Sequence, residues 1–154
     1  MPTRLATPED ITAALKLGRI TLERSVIAGD LDELHARRVM LRCINDANMS
    51  MWVAEHKGEI VGFLMTIKEQ HWFSKARYAA DICFCVSPQH GNYAPSIIRK
   101  YVKWAKADSR VKDINLAISS GLDQDGRAGQ MYQNLGFTNV GGVYSLLENT
   151  ECQV

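Results

Sequence analysis

Two polar side chains in this sequence are placed where they could move protons. Tyr132 lies in the stretch 128–137, which indicates a helix that ends at Gly136 with the phenol on its buried face. A phenol with an ordinary pKa of about 10 is protonated at neutral pH and can give its proton to a leaving group. Asp81 lies in a predicted strand, Tyr78–Val86, where a partly buried carboxylate could accept a proton.

Each of these side chains also has a purely structural interpretation. An isolated tyrosine at helical spacing is commonly a core aromatic whose hydroxyl is satisfied locally. A carboxylate near a strand end is commonly solvated or paired, and Arg77 is a nearby partner for Asp81. Cys83 and Cys85 flank Phe84 on the same strand and are expected to be buried packing residues rather than nucleophiles.

A turn after this strand has a composition that could hold a phosphate group. Small or turn-forming residues follow the strand end at Val86 and lead into a helix: Gly91, Asn92, Tyr93, Ala94, Pro95 and Ser96. Backbone N–H groups at the positive end of a helix attract phosphate, and small side chains allow it to approach closely. The alternative is a simple turn between a strand and a helix.

Two further segments are candidates for contacts with a substrate. Trp72 and Phe73 stand in a loop between strands, where large aromatic side chains are costly to expose without a use. A substrate lip, a dimer contact or a loop folded back onto its own sheet would each explain them. Arg24, at the end of the first helix, could face a substrate or could belong to a solvated helix end.

The order of elements predicts an α/β (α+β) fold with a mixed central sheet of six to seven strands flanked by about four helices. We expect one domain over residues 1–154, in the order βααβββαβαβ(β). Strands are predicted at 3–6, 51–55, 60–67, 78–86 and 114–118, with one or two closing strands in 137–147. Helices are predicted over 11–22, 36–47, 97–105 and 128–135, the first of them started by Thr7 and Pro8.

Bulk composition excludes several classes of protein. A net charge of +1 and the lack of a basic stripe argue against a nucleic-acid partner, and no run of 18 apolar residues predicts a membrane span. The cysteines at 43, 83, 85 and 152 lack the spacing of a zinc site, so we expect no metal and a reducing, cytoplasmic setting. The first residues lack the apolar core of a secretory signal, so export is not expected.

The motifs resemble those of the GNAT family of N-acetyltransferases, and the resemblance spans about residues 3–147. The family pattern A-x-x-L-Y-x-x-x-G-F corresponds to Ala128, Met131, Tyr132, Leu135, Gly136 and Phe137. Its V-x-P corner corresponds to Val86 and Pro88. Its phosphate loop, R-G-x-G-x-G/A, falls on Gly91 to Ser96, where the arginine and both later glycines are replaced. Asp125 stands where the family commonly has an asparagine, and the alternative function for it is a helix cap.

The resemblance implies a catalyst that moves an acetyl group from acetyl-CoA to a primary amine of a small molecule, protein or peptide. Tyr132 is then the acid that protonates the sulfur, and Asp81, at the position of a glutamate in the histone acetyltransferase branch, is the candidate base. The implied acetyl-CoA contacts are Phe84, Cys85, Val86, Gly91, Asn92, Tyr93, Ala94, Ser96 and Asp125. A homodimer is a further expectation. The altered loop leaves two alternatives open: a CoA-sensing or protein-binding module without turnover, and a small interaction domain with no CoA site.

Overall fold

Five strands form one mixed sheet in the computed structural model, which describes residues 2–147 and 150. They are β1 (Thr3–Leu5), β2 (Met49–His56), β3 (Glu59–Gln70), β4 (Arg77–Val86) and β5 (Val111–Ile114). The strands lie side by side in chain order, and neighbours from β1 to β4 are antiparallel. Strand β5 runs parallel to β4, so the sheet is mixed, as the sequence predicts.

The described part of the chain has four α-helices: α1 (Ile11–Arg24), α2 (Glu33–Asn45), α3 (Ala94–Lys106) and α4 (Arg127–Asn134). Helices α1 and α2 cover one face of the sheet, and α3 covers the other. Alternate side chains of each strand point to opposite faces, so Phe63 packs with α1 and α2, whereas Leu64 packs with Ile97 and Tyr101 of α3. The predicted α/β class, with helices on both faces of the sheet, is therefore confirmed.

The predicted strand count is too high for the described residues. The expected closing strands in 137–147 are not strands, and β5 ends at Ile114 instead of continuing from there to Ile118. The closing segment contains the consecutive glycines Gly141 and Gly142, which are costly to order as a strand. Most of its apolar side chains stay exposed, with Val140 at 90% and Tyr144 at 98%. The prediction of closing strands in this segment is therefore wrong for the described residues.

The structure can be examined for membrane-spanning helices, disulfides and metal-binding groups. Among the described residues, no helix is long and apolar enough to cross a membrane. Cys43, Cys83 and Cys85 carry free thiols, and Cys152 lies outside the described residues. No group of three or more His, Cys, Asp or Glu side chains in the described part of the chain could hold a metal ion.

Candidate active site

A cleft opens between β4 and β5 because the two strands pair over only part of their length. The parallel ladder runs from Arg77, opposite Val111, to Ala79, opposite Ile114, and then ends. On the other edge of β4, a β-bulge leaves Ile82 without a partner on β3. Bulges bend a strand, increase its twist and are common beside active sites. We refer to the opening beyond Ala79 as the β4–β5 cleft.

Asp81 spans this cleft. Its Oδ1 atom accepts a hydrogen bond from the backbone N–H of Ala117, at 2.9 Å, in the segment that follows β5. Burial raises the pKa of the Asp81 carboxyl, and the hydrogen bond from Ala117 opposes that change. The alternative pairing with Arg77 is not observed, because that guanidinium binds Asp108 at 3.0 Å. Asp81 is thus a partly buried carboxylate without a cationic partner among the described residues.

Tyr132 is buried on α4, with 9% of its surface exposed, and its hydroxyl makes no hydrogen bond within the described residues. All fully buried side-chain N and O atoms in that part of the chain have partners, so this hydroxyl must reach open space. Tyr132 lines a cavity of about 790 Å³ between α4, the segment 112–118 and the segment 138–143. The pKa of Tyr132 is raised by burial and then by the negative charges of Asp81 and Asp123. The predicted base is therefore close enough to the predicted acid for its charge to act on it.

Both ends of α4 fix the position of Tyr132. At the C-terminal end, Gly136 has φ of +94°, and the N–H of Phe137 donates to the Tyr132 carbonyl at 3.0 Å, as in a Schellman motif. At the N-terminal end, Asp123 accepts hydrogen bonds from two backbone N–H groups, those of Ala128 at 2.9 Å and Gly129 at 3.2 Å. The glycine cap agrees with the sequence prediction, whereas the role of Asp123 was missed.

Asp125, one of the predicted cofactor contacts, pairs with a neighbouring side chain. Its Oδ2 atom lies 2.8 Å from Nε of Arg127, and both side chains are mostly exposed. The capping function that the sequence allowed for Asp125 is performed mainly by Asp123. Both acids precede the helix by a few residues, so the sequence signal was present for either of them.

The predicted phosphate loop is a 3₁₀ turn, Pro88–Tyr93, that runs directly into α3. Gly91 and Asn92 are exposed, whereas Tyr93 and Ala94 are buried, with 7% and 5% of their surfaces exposed. The hydroxyl of Ser96 is hydrogen-bonded to Thr3 Oγ1 at 2.8 Å. The side chains of Tyr93, Ala94 and Ser96 therefore stabilise the fold, and only their backbone groups remain for a ligand.

The residues at the end of β4 that the resemblance assigned to the cofactor lie in two hydrophobic clusters, one on each face of the sheet. Cys85 is buried against α1 and α2, with its Sγ atom 3.5 Å from that of Cys83, whereas Phe84 and Val86 pack on the α3 side. The expectation that both cysteines are packing residues agrees with this placement. Contacts from these positions to a bound molecule would come from the backbone edge of β4 that faces the β4–β5 cleft.

Sequence comparison assigns the family. The sequence profile of the acetyltransferase (GNAT) family matches residues 20–137. The chain belongs to the GNAT acetyltransferase family. The matched range contains the β4–β5 cleft, the turn before α3 and all of α4. No curated protein sequence matches this GNAT chain.

Solved structures of other acetyltransferases share the fold of this GNAT chain. A ribosomal-protein-alanine N-acetyltransferase from Brucella melitensis is 17% identical, with a TM-score of 0.69 over 95% of this chain and 99% of its own. The aminoglycoside 6'-N-acetyltransferase AAC(6')-IG from Acinetobacter haemolyticus is 17% identical, with a TM-score of 0.71 over 98% of this chain and 100% of its own. A predicted acetyltransferase from Clostridium acetobutylicum, solved with acetyl-CoA, is 20% identical, with a TM-score of 0.70 over 94% of each chain.

The three residues predicted to meet a substrate lie at two different places on this GNAT fold. Trp72 and Phe73, 95% and 67% exposed, stand in the loop before β4. They are separated from the turn before α3 by the 10 residues of β4, about 33 Å of extended chain. Arg24 ends α1, and the loop after it reaches the segment beyond β5 through Val26 N–H, which donates to Ser120 O at 3.0 Å. Arg24 therefore precedes a loop that contacts the segment beyond β5, and the aromatic pair is distant from the turn before α3.

Proposed function

We propose that this GNAT chain is an N-acetyltransferase that moves the acetyl group of acetyl-CoA to a primary amine, with both substrates bound at once in the β4–β5 cleft. The observation that carries the proposal is at Tyr132: the residue is buried, its hydroxyl has no hydrogen-bond partner in the described protein, and it lines a cavity. A hydroxyl with a raised pKa remains protonated at neutral pH, as a general acid requires.

Asp81 and Tyr132 act at opposite ends of the same transfer. The free amine nitrogen forms a bond to the thioester carbonyl carbon, and the bond from that carbon to sulfur breaks. Tyr132 gives its proton to the departing sulfur, and Asp81 takes the proton lost by the amine, directly or through a water molecule. A carboxylate with a raised pKa is a better proton acceptor than an ordinary aspartate. Exchange with solvent then restores both groups.

Backbone groups hold the acetyl donor in this proposal. Beyond Ala79 the edge of β4 has no ladder partner on the β5 side, so its N–H and C=O groups can pair with the amide-bearing arm of CoA. The exposed turn at Gly91 and Asn92 offers backbone contacts to the pyrophosphate. Holding both substrates in one cleft makes the reaction effectively intramolecular, which supplies much of the rate.

The acceptor is a small-molecule amine or an amine of a protein or peptide. We also propose that the chain functions as one domain in the cytoplasm, without a nucleic-acid or membrane partner. The free thiols and the small net charge are consistent with that setting. A homodimer is proposed as well, and the exposed pair Trp72 and Phe73 is a candidate contact.

Two measurements test the proposal against its alternatives. Acetyl-CoA and CoA should each raise the melting temperature in a saturable manner, and no rise would leave only an interaction domain without a CoA site. Thiol release is then measured over a panel that includes an aminoglycoside and a peptide beginning with alanine, because related folds act on such acceptors. Binding without thiol release from any amine would favour a CoA-binding module, which the altered loop at Gly91 to Ser96 makes the main alternative.

A further inference from the structure

A pair of histidines packs together beside the turn that precedes α3. His56 ends β2, and His90 lies within the turn Pro88–Tyr93. Their ring centroids are 4.8 Å apart, and both rings are partly buried. The pair was missed in the sequence because 33 residues separate its members. Because β2 and β4 are both antiparallel to β3, they run in the same direction, and their C-terminal ends lie at the same end of the sheet.

Hydrogen bonds set the orientation of the two rings. Nδ1 of His56 is 2.8 Å from the hydroxyl of Tyr93, whose ring is buried under the first turn of α3. When that hydroxyl donates to Nδ1, the ring proton is on Nε2 and can be donated to a ligand. Nδ1 of His90 makes a longer contact, 3.4 Å, with Oγ of Ser87. Each ring is thus held at Nδ1, and neither Nε2 atom has a hydrogen-bond partner among the described residues.

The charged residues next to His56 balance each other, so the ring N–H groups are the donors that remain for an anion. Lys57 follows His56 in the β2–β3 turn, and Glu59, the cross-strand partner of His56, is the acidic residue opposite it. The turn itself has Gly91 where the resembling loop has an arginine, so it contributes no cationic side chain at that position. An imidazole N–H beside a phosphate gives a charge-assisted hydrogen bond, which is stronger than a neutral one.

We propose that His56 and His90 bind the phosphates of the CoA substrate from the β2 side of the turn. They would donate hydrogen bonds to the phosphates in place of the arginine. The inference rests on the proposed function, since it assigns these histidines to the same acetyl donor. The proposed function assigns residues to the reacting atoms. This inference assigns two other side chains to the phosphates, where they determine affinity and do not contact the reacting atoms.

The test compares two acetyl donors, one with the phosphates and one without. His56→Gln and His90→Gln should each raise the Kd for acetyl-CoA about tenfold in titration calorimetry. With S-acetyl-pantetheine, which lacks the phosphates, kcat/KM should change less than about twofold. His90→Lys keeps an N–H donor and should keep the Kd for acetyl-CoA within about threefold of the wild-type value. The control is His35→Gln, because His35 is exposed on α2 and should change neither donor.

The outcomes separate this inference from the proposed function. An unchanged Kd for acetyl-CoA in both glutamine variants overturns the inference alone. An equal loss with both donors also overturns it, because that pattern indicates a structural role, and melting curves without ligand would show the damage. Failure of the wild-type protein to bind acetyl-CoA would reject the proposed function and this inference together.

Discussion

The variant Tyr132→Phe is expected to separate the acid chemistry from binding and folding. It removes one oxygen that has no hydrogen-bond partner in the described protein, so no buried donor or acceptor is left unpaired. The free energy of unfolding should therefore change by less than about 0.5 kcal/mol. A positioned general acid contributes about 10²- to 10⁴-fold in rate, which corresponds to roughly 2.7–5.5 kcal/mol of transition-state stabilisation.

The assay is steady-state thiol release with the best amine of the panel, combined with calorimetric titration of acetyl-CoA. We expect kcat to fall at least about 100-fold, while the Kd for acetyl-CoA stays within about twofold. Burial and the charges of Asp81 and Asp123 raise the pKa of Tyr132. The wild-type enzyme should therefore lose no activity through ionisation of this acid up to about pH 9.

Tyr101 provides the matched control because its hydroxyl is structural. Tyr101 is a fully buried residue of α3, and its hydroxyl donates a hydrogen bond to the carbonyl of Asn115 at 3.0 Å. Tyr101→Phe should cost about 1 kcal/mol of stability and leave kcat near the wild-type value. If Tyr132→Phe kept more than a third of the wild-type kcat, the assignment of Tyr132 as the acid would be refuted.

Three further substitutions test the base and the residues that cap α4, and two of them have a matched control. Asp81→Asn keeps an acceptor for the backbone hydrogen bond but cannot take a proton, so kcat/KM should fall about 100-fold without a lower melting temperature. The wild-type rate should also fall as the pH drops through the raised pKa of Asp81, and a profile without that acidic limb would argue against this base. Asp123→Ala removes the helix cap and should lower the free energy of unfolding by about 1–2 kcal/mol in urea denaturation. The control Asp125→Ala breaks only an exposed ion pair and should lower it by less than about 0.5 kcal/mol. Gly136→Ala should cost about 1 kcal/mol because of its φ of +94°, whereas Gly141→Ala, at a position without positive φ, should have a smaller effect.

Local signals in the sequence predicted the helices and the β2–β3 hairpin because their causes lie within a few residues. The turn expected at 56–59 is formed by Lys57 and Gly58, both with positive φ, and the end of α4 follows from Gly136. Pairing between distant segments was less predictable. The length of β5, the bulge at Ile82 and the pairing of His56 with His90 each depend on register or on strand direction across the sheet.

The bulge at Ile82 explains how one strand can serve both a packed core and a reactive cleft. Before the bulge, Ala79 faces α3, and Asp81, two residues later, points to the same face of the sheet. The charge of Asp81 raises the pKa values of Tyr101 and Tyr132. A regular strand would place Cys83 on that side too. The extra residue reverses the alternation, so Cys83 packs against the α1 and α2 core instead. The inserted residue thus directs the carboxylate toward Tyr132 and returns the later apolar side chains to the core, at the point where β5 separates from β4.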